Sequence, residues 1–89
     1  MSSKKSLIIT KYLKLVEDIV VITNKNIFPD DFNDVIDIVF YFNYTFMREL
    51  DFFQIVDDIL EINKIEIDDY KFGLVCDLII EFLNLLKQL

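Results

Sequence analysis

The clearest structural signal in the chain lies at residues 68–89, DDYKFGLVCDLIIEFLNLLKQL. Asp68 is a natural helix N-cap, because its short carboxylate can accept a hydrogen bond from a backbone N–H of the first turn. Asp69 follows in that turn, where a negative charge suits the positive end of the helix dipole. Apolar residues then recur every three or four positions, which predicts a helix with one buried face. That predicted face comprises Leu74, Leu78, Phe82, Leu85 and Leu89.

The same apolar spacing predicts three earlier helices. The first spans residues 6–23. The second begins at residues 28–31 (FPDD), where Pro costs no hydrogen bond and acids suit the first turn. The third spans residues 46–62, after a break or kink expected at residues 43–45. The predicted buried residues are Ile8, Tyr12, Leu15, Val16, Ile19 and Ile22 in the first helix, Phe32, Val35, Ile36, Val39 and Phe40 in the second, and Leu50, Phe53, Val56, Ile59 and Leu60 in the third.

Four amphipathic helices with short connections favour one architecture. Each helix must bury its apolar face against another, and short connections make sequential neighbours antiparallel. We therefore expect an all-α fold, a compact antiparallel four-helix bundle, with residues 1–89 forming a single helical domain.

The composition argues against several classes of function. The 89 residues include 16 acidic and 9 basic side chains, no His and a single Cys, with a net charge of −7. Such a chain repels nucleic-acid phosphates, and without His it cannot build a Ser–His–Asp triad or an ordinary zinc site. We expect no enzymatic activity, no cofactor, no metal and no direct binding of nucleic acid. Cys76 is expected to pack as a small hydrophobic residue.

The hydrophobic pattern also argues against a membrane location. The longest uninterrupted apolar run covers residues 38–42, whereas a membrane span needs about 20 residues. Near the N-terminus, Lys11 and Lys14 interrupt the apolar stretch that a signal peptide would require. The expected location is the cytoplasm.

Carboxylates at helical spacing are the most noticeable polar feature. Like charges three or four residues apart on a helix cost a few tenths of a kcal/mol per pair (about 0.2–0.5) rather than adding stability. Asp30, Asp34 and Asp37, with Asp31 beside them, are predicted to share one face of the second helix; Asp57, Asp58 and Glu61 are predicted on the solvent side of the third helix; Asp68 and Asp69 precede the fourth. Two interpretations remain open: a solvated surface that keeps an apolar protein soluble, or a docking surface for a basic partner.

The aromatic content exceeds what one buried stripe per helix requires, with thirteen Phe and Tyr residues in the chain. Some of them can fill gaps between the helices. Others are candidates for interface anchors, because Tyr and Phe are enriched where proteins meet. The residues expected to be exposed are Tyr41, Tyr44 and Phe52.

Two stretches of the chain resemble the colicin D-type immunity proteins and related immunity proteins of contact-dependent toxin systems. The first comprises residues 19–22 (IVVI), Ile27 and the pair Asp31-Phe32; the second comprises residues 66–69 (EIDD), Leu74 and residues 78–83 (LIIEFL). The resemblance implies a compact helical bundle that binds a cognate nuclease toxin. It also implies that acids of the immunity protein lie where substrate phosphates would enter the toxin's basic cleft.

The sequence thus leads to one hypothesis and one alternative. The hypothesis is an immunity protein, monomeric or weakly dimeric, that masks the basic active site of a nuclease or tRNase toxin. Residues 15–89 carry 16 acids against five bases, a charge that would steer association with such a cleft. The alternative is a small helical adaptor or self-associating protein of viral or phage type, with an aromatic dimer interface. The candidate partner-binding residues are Asp30, Asp31, Asp34, Asp37, Tyr41, Tyr44, Asp57, Asp58, Glu61, Asp68 and Asp69.

Overall fold

The computed structural model describes residues 3–29, 32–47 and 51–88, and within these ranges the regular structure is helical, with no strand. In chain order the elements are α1 (Ser3–Thr23), α2 (Val35–Phe42), a π-helical turn (Asn43–Met47), α3 (Phe52–Ile62) and α4 (Asp69–Gln88). The predicted all-α class is therefore confirmed. Helix α1 packs mainly on α4, and α2 packs on α1. Within the described ranges, no helix has both the length and the apolar character needed to cross a membrane.

Three of the helices have an aspartate as their N-cap. In each case the cap carboxylate accepts a hydrogen bond from a backbone N–H that has no partner inside the helix. The N–H of Ile36 donates to Asp34 (3.4 Å), that of Gln54 to Asp51 (3.1 Å) and that of Lys71 to Asp68 (2.8 Å). The predicted capping role of Asp68 is confirmed, with Asp69 in the first turn of α4.

The cap of α4 leads to a first prediction. Asp68→Ala should lower the free energy of unfolding by about 1 kcal/mol, because it leaves first-turn N–H groups without an acceptor. Asp68→Asn is the matched control, since Asn caps helices as well as Asp and should keep near-wild-type stability. Urea unfolding followed by circular dichroism measures both variants. Equal destabilisation by Asn and Ala would show that the charge of Asp68 matters rather than its cap.

Helix α2 begins at Val35, several residues later than predicted, because residues 27–29 form a loop packed on α1. The side chain of Asn26 accepts a hydrogen bond from the N–H of Phe28 (2.9 Å). The hydroxyl of Tyr12 donates to the carbonyl of Pro29 (3.1 Å). Ile27 and Phe28 are buried. The loop is thereby held against α1, and residues 28–29 and 32–34 are not helical, so the predicted start is wrong.

The irregularity expected at residues 43–45 is the π-helical turn, which continues α2 without an intervening loop. Helix α3 begins at Phe52, where Asp51 caps it, rather than at residue 46. The predicted core residue Leu50 lies outside the described residues. The predicted third helix therefore divides into the end of a π-helical turn and a shorter α-helix.

The core is rich in aromatic rings around Phe42, which is completely buried. The ring of Phe42 lies between 4.8 and 6.1 Å, centroid to centroid, from those of Tyr12, Phe28, Phe46 and Phe82. Aromatic pairs at such distances contribute stability beyond the area that they bury. The buried residues are Ile8, Tyr12, Leu15, Ile19, Ile27, Phe28, Val35, Ile38, Phe42, Phe46, Val56, Leu60, Val75, Cys76, Ile79, Phe82 and Leu83.

The buried faces of the helices agree with the prediction in α1, apart from the half-buried Val16 and Ile22, and differ elsewhere. Helix α2 buries Val35, Ile38 and Phe42, so the predicted core residues Ile36 and Phe40 are exposed. The same applies in α3, where Val56 and Leu60 are buried but Phe53 is exposed; Ile59 is half-buried. In α4 the predicted residues Leu74, Leu78 and Leu85 are half-buried beside the buried Val75, Cys76, Ile79, Phe82 and Leu83, and Leu89 lies outside the described residues.

Cys76 packs inside the fold as predicted, with 1% of its surface exposed. Burial raises the pKa of the Cys76 thiol from 9.0 to about 11, because a thiolate loses its hydration there; the nearby Asp77 adds to the increase. The thiol is therefore protonated at neutral pH.

This protonation state predicts low thiol reactivity. At pH 8 the folded protein should react with an aromatic disulfide reagent roughly 100-fold more slowly than the urea-unfolded chain, since the thiolate is the reactive form. Absorbance of the released thiolate measures both rates. Equal rates would place Cys76 at the surface and contradict its packing in α4.

Candidate partner-binding surface

Three acids form an exposed cluster on α3, which we call the α3 acidic cluster: Asp57, Asp58 and Glu61. Their carboxylate oxygens lie within 4.8 Å of one another, and all three residues are exposed. The side-chain amide of Gln54 donates a hydrogen bond to Asp58 (2.9 Å). Their predicted place on the solvent side of the third helix is confirmed.

Few cations offset this charge. Among the residues that the structure describes, the one ion pair joins Lys14 to Asp18, on α1 (2.9 Å). A surface groove is lined by Lys64 together with Asp57 and Glu61. Within the described ranges, Lys64 forms no ion pair with either acid. The cluster therefore presents concentrated negative charge to solvent.

The spacing of Asp30, Asp34 and Asp37 predicts a stripe of acids on the second helix. This stripe does not form, because α2 begins only at Val35. Asp34 precedes the helix and caps it. Asp37 is exposed in the first turn and accepts a hydrogen bond from the N–H of Asn33 (3.2 Å). Asp30 and Asp31 lie outside the described residues.

Helix α2 and the π-helical turn expose an apolar stripe, which we call the outer stripe: Ile36, Phe40 and Tyr44. Their side chains are 62%, 68% and 57% exposed. The rings of Phe40 and Tyr44 are stacked, with centroids 6.1 Å apart and planes 13° from parallel. A shallow groove lies along the stripe, and Ile8 of α1 lines its other side. The exposure of Tyr44 was predicted, whereas Ile36 and Phe40 were expected in the core.

A second stacked pair of rings packs α2 and the π-helical turn into the core. Phe42 and Phe46 lie two positions further along than Phe40 and Tyr44, which is close to the opposite side of a helix. Their ring centroids are 5.6 Å apart with planes 20° from parallel, and both side chains are buried. The outer pair is therefore carried on backbone that the core holds in place.

Tyr44 connects the outer stripe to acids in two neighbouring depressions. It lines a groove with Asp51 and Asp58, so this groove reaches the α3 acidic cluster. Tyr44 and Phe40 also line a depression with Asp37 and Tyr41. The structure thus brings six of the predicted site residues into one region: Asp37, Tyr41, Tyr44, Asp58 and, through the α3 acidic cluster, Asp57 and Glu61. Asp68 and Asp69 line neither groove.

Two of the aromatic residues that were expected to be exposed are half-buried. Phe52 packs near Phe46, with ring centroids 5.6 Å apart. Tyr41 packs near Phe28 and Phe32. Burial raises the pKa of Tyr41, and a hydrogen bond with the Thr45 side chain partly offsets the increase. The prediction of exposure is wrong for both residues: Tyr41 packs on the loop before α2, and Phe52 packs on the π-helical turn.

Sequence reasoning missed three members of this surface: Ile36, Phe40 and Asp51. The signal that was present is the composition of α2, VIDIVFYF, in which only Asp37 is charged. A helix that packs on the protein along one side cannot bury apolar residues all round, so some had to face outward.

The fold and this surface together define an all-α protein with a mixed aromatic and acidic face. Comparison of the chain with protein-family models, with curated proteins and with solved structures gives no match.

Proposed function

We propose that this protein is a non-catalytic immunity protein of the cytoplasm. Its partner is a cognate basic toxin domain of the nuclease or tRNase type, whose active site it masks with an acidic surface. In this proposal its four helices pack as a compact antiparallel bundle, and it acts as a monomer or a weak homodimer. The observation that supports the proposal most directly is the α3 acidic cluster, three exposed carboxylates within 4.8 Å of one another.

The physical argument concerns charge on both partners. An enzyme that cleaves RNA or DNA needs a positive cleft to hold phosphates. Clustered carboxylates repel one another in the free protein, and a cationic cleft relieves that repulsion on binding. Complementary charge also accelerates encounter, toward about 10⁸–10⁹ M⁻¹s⁻¹ in favourable cases. Such speed suits a protein that must reach a toxin before the toxin reaches its substrate.

The outer stripe favours a second candidate, a helical adaptor or self-associating protein. In that case Phe40 and Tyr44 would meet their counterparts in another copy of the chain. The acids would then serve solubility alone. The two candidates differ in what binds: a basic protein, or the same protein.

The test is co-expression of the tagged protein with the product of the adjacent gene. We expect an equimolar complex at low salt that weakens at moderate salt, because screening reduces attraction between exposed charges. We also expect the protein to protect cells in which the neighbouring product is toxic. Absence of both a complex and protection, together with a dimer on a sizing column, would contradict the immunity function and support self-association.

A further inference from the structure

We propose that the stacked pair of Phe40 and Tyr44 is the anchor at which a basic partner protein docks. The partner would place an apolar side chain against the two rings and Lys or Arg side chains against the acids beside them. This inference rests on the proposed function and names the part of the surface that supplies most of the affinity. It shifts the centre of the interface from the acids of α3 to the aromatic residues of α2 and the π-helical turn.

The first step of the argument is exposure. Phe40 is 68% exposed and Tyr44 is 57% exposed, although both belong to a segment whose other aromatic residues are buried or half-buried. Ile36 extends the apolar surface by one helical turn. Aromatic side chains at the centre of an interface carry a large share of binding energy, because each removes much apolar area from water.

The second step is rigidity. The buried pair Phe42 and Phe46 stacks within the core and holds the π-helical turn against it. The outer rings are therefore presented on fixed backbone, and their stacking restricts them further. A surface that is ordered before binding loses less conformational entropy when the partner arrives. Single π-helical turns are also frequent at functional sites.

The third step is charge, which indicates what kind of partner binds at the stacked pair. Asp37 lines the depression beside the pair, and Asp51 and Asp58 line the neighbouring groove at Tyr44. No described Lys or Arg lines either of these surfaces or the apolar groove along Ile36. An apolar centre with acids beside it fits a partner that carries cations next to an apolar side chain.

A second copy of the chain fits this surface less well. A twofold contact uses the same patch on both molecules, so it would bring two acidic edges and two chains of net charge −7 together. The basic residues of α1 near the N-terminus line none of the three surfaces. Charge complementarity therefore favours a basic partner over self-association.

The experiment measures binding of the adjacent gene's product to wild-type protein and to Phe40→Ala and Tyr44→Ala. Each variant should raise the dissociation constant at least tenfold, mainly through faster dissociation, since removal of an anchor acts on complex lifetime. Tyr70→Ala is the matched control, because Tyr70 is 75% exposed on α4, away from the stripe. It should bind within about twofold of wild type, as expected for an exposed aromatic residue outside the interface.

The outcomes separate this inference from the proposed function. If wild-type protein does not bind the product, both are overturned. If wild type binds and both Ala variants bind equally well, with unchanged unfolding midpoints, the anchor is overturned and the immunity function stands. If sedimentation shows that free wild type is a dimer and Phe40→Ala is a monomer, a second copy covers the pair and the anchor is again overturned.

Discussion

Phe42→Ala should lower the free energy of unfolding by about 3–5 kcal/mol, the range found when a buried Phe is truncated. The ring of Phe42 is fully buried and lies against five other aromatic rings, contributed by α1, the loop before α2, α2 itself, the π-helical turn and α4. Its loss leaves a cavity where these parts meet. A chain of 89 residues has roughly 4–13 kcal/mol of total stability, so this variant should lose at least about a quarter of it, and all of it at the lower end of that range.

Phe40→Ala is the matched control for this prediction, since it removes the same ring two residues earlier on the same helix. Phe40 is 68% exposed, so the loss should stay within about 0.5 kcal/mol. Urea unfolding followed by circular dichroism and by Tyr fluorescence measures both variants. If Phe40→Ala were the more damaging substitution, α2 would bury the face with Ile36 and Phe40 that its sequence first suggested.

The contrast between these two Phe residues shows what the sequence could establish. In α1 the apolar stripe of Ile8, Tyr12, Leu15 and Ile19 alternates with Lys and acids, so one face alone can be buried, and the prediction is right. In α4 the carboxylates of Asp68 and Asp69 locate the start of the helix. Both predictions rest on local contrasts between polar and apolar residues, which a sequence displays directly.

Helix α2 lacks that contrast. Seven of the eight residues in VIDIVFYF are apolar or aromatic, so the spacing fits more than one buried face. The face was fixed instead by contacts distant in sequence, such as the hydrogen bond from Tyr12 to Pro29 across 17 positions. That contact holds residues 27–29 against α1, with Ile27 and Phe28 buried, and the helix begins only at Val35. No local pattern encodes such a contact.

The candidate surface also has features that the sequence could predict and features that it could not. Exposure of Asp57, Asp58 and Glu61 followed from helical spacing on a well-patterned helix, and the structure agrees. The exposure of Phe40 depended on which face of α2 is buried, so it could not be predicted. The groove that joins Tyr44 to Asp51 and Asp58 also depends on how α3 lies against the π-helical turn.

The second large effect concerns the α3 acidic cluster. The triple variant Asp57→Asn, Asp58→Asn, Glu61→Gln should slow association with the adjacent gene's product at least tenfold at low salt, because steering depends on charge near the interface. The fold should keep its stability or gain a few tenths of a kcal/mol, roughly 0.2–0.5 per relieved pair. The amide of Gln54 keeps an oxygen acceptor in Asn at position 58.

A control with the same charge change separates local steering from net charge. Glu17→Gln, Asp77→Asn, Glu81→Gln also removes three exposed carboxylates, which lie on α1 and α4 and line neither groove beside the α3 acidic cluster. Stopped-flow measurements across a range of salt concentrations compare the two triple variants. A larger decrease in rate and in salt dependence for the α3 variant places the acids beside the partner. An equal decrease for both variants would mean that net charge alone attracts the partner, and that the α3 acidic cluster is only a solvated surface.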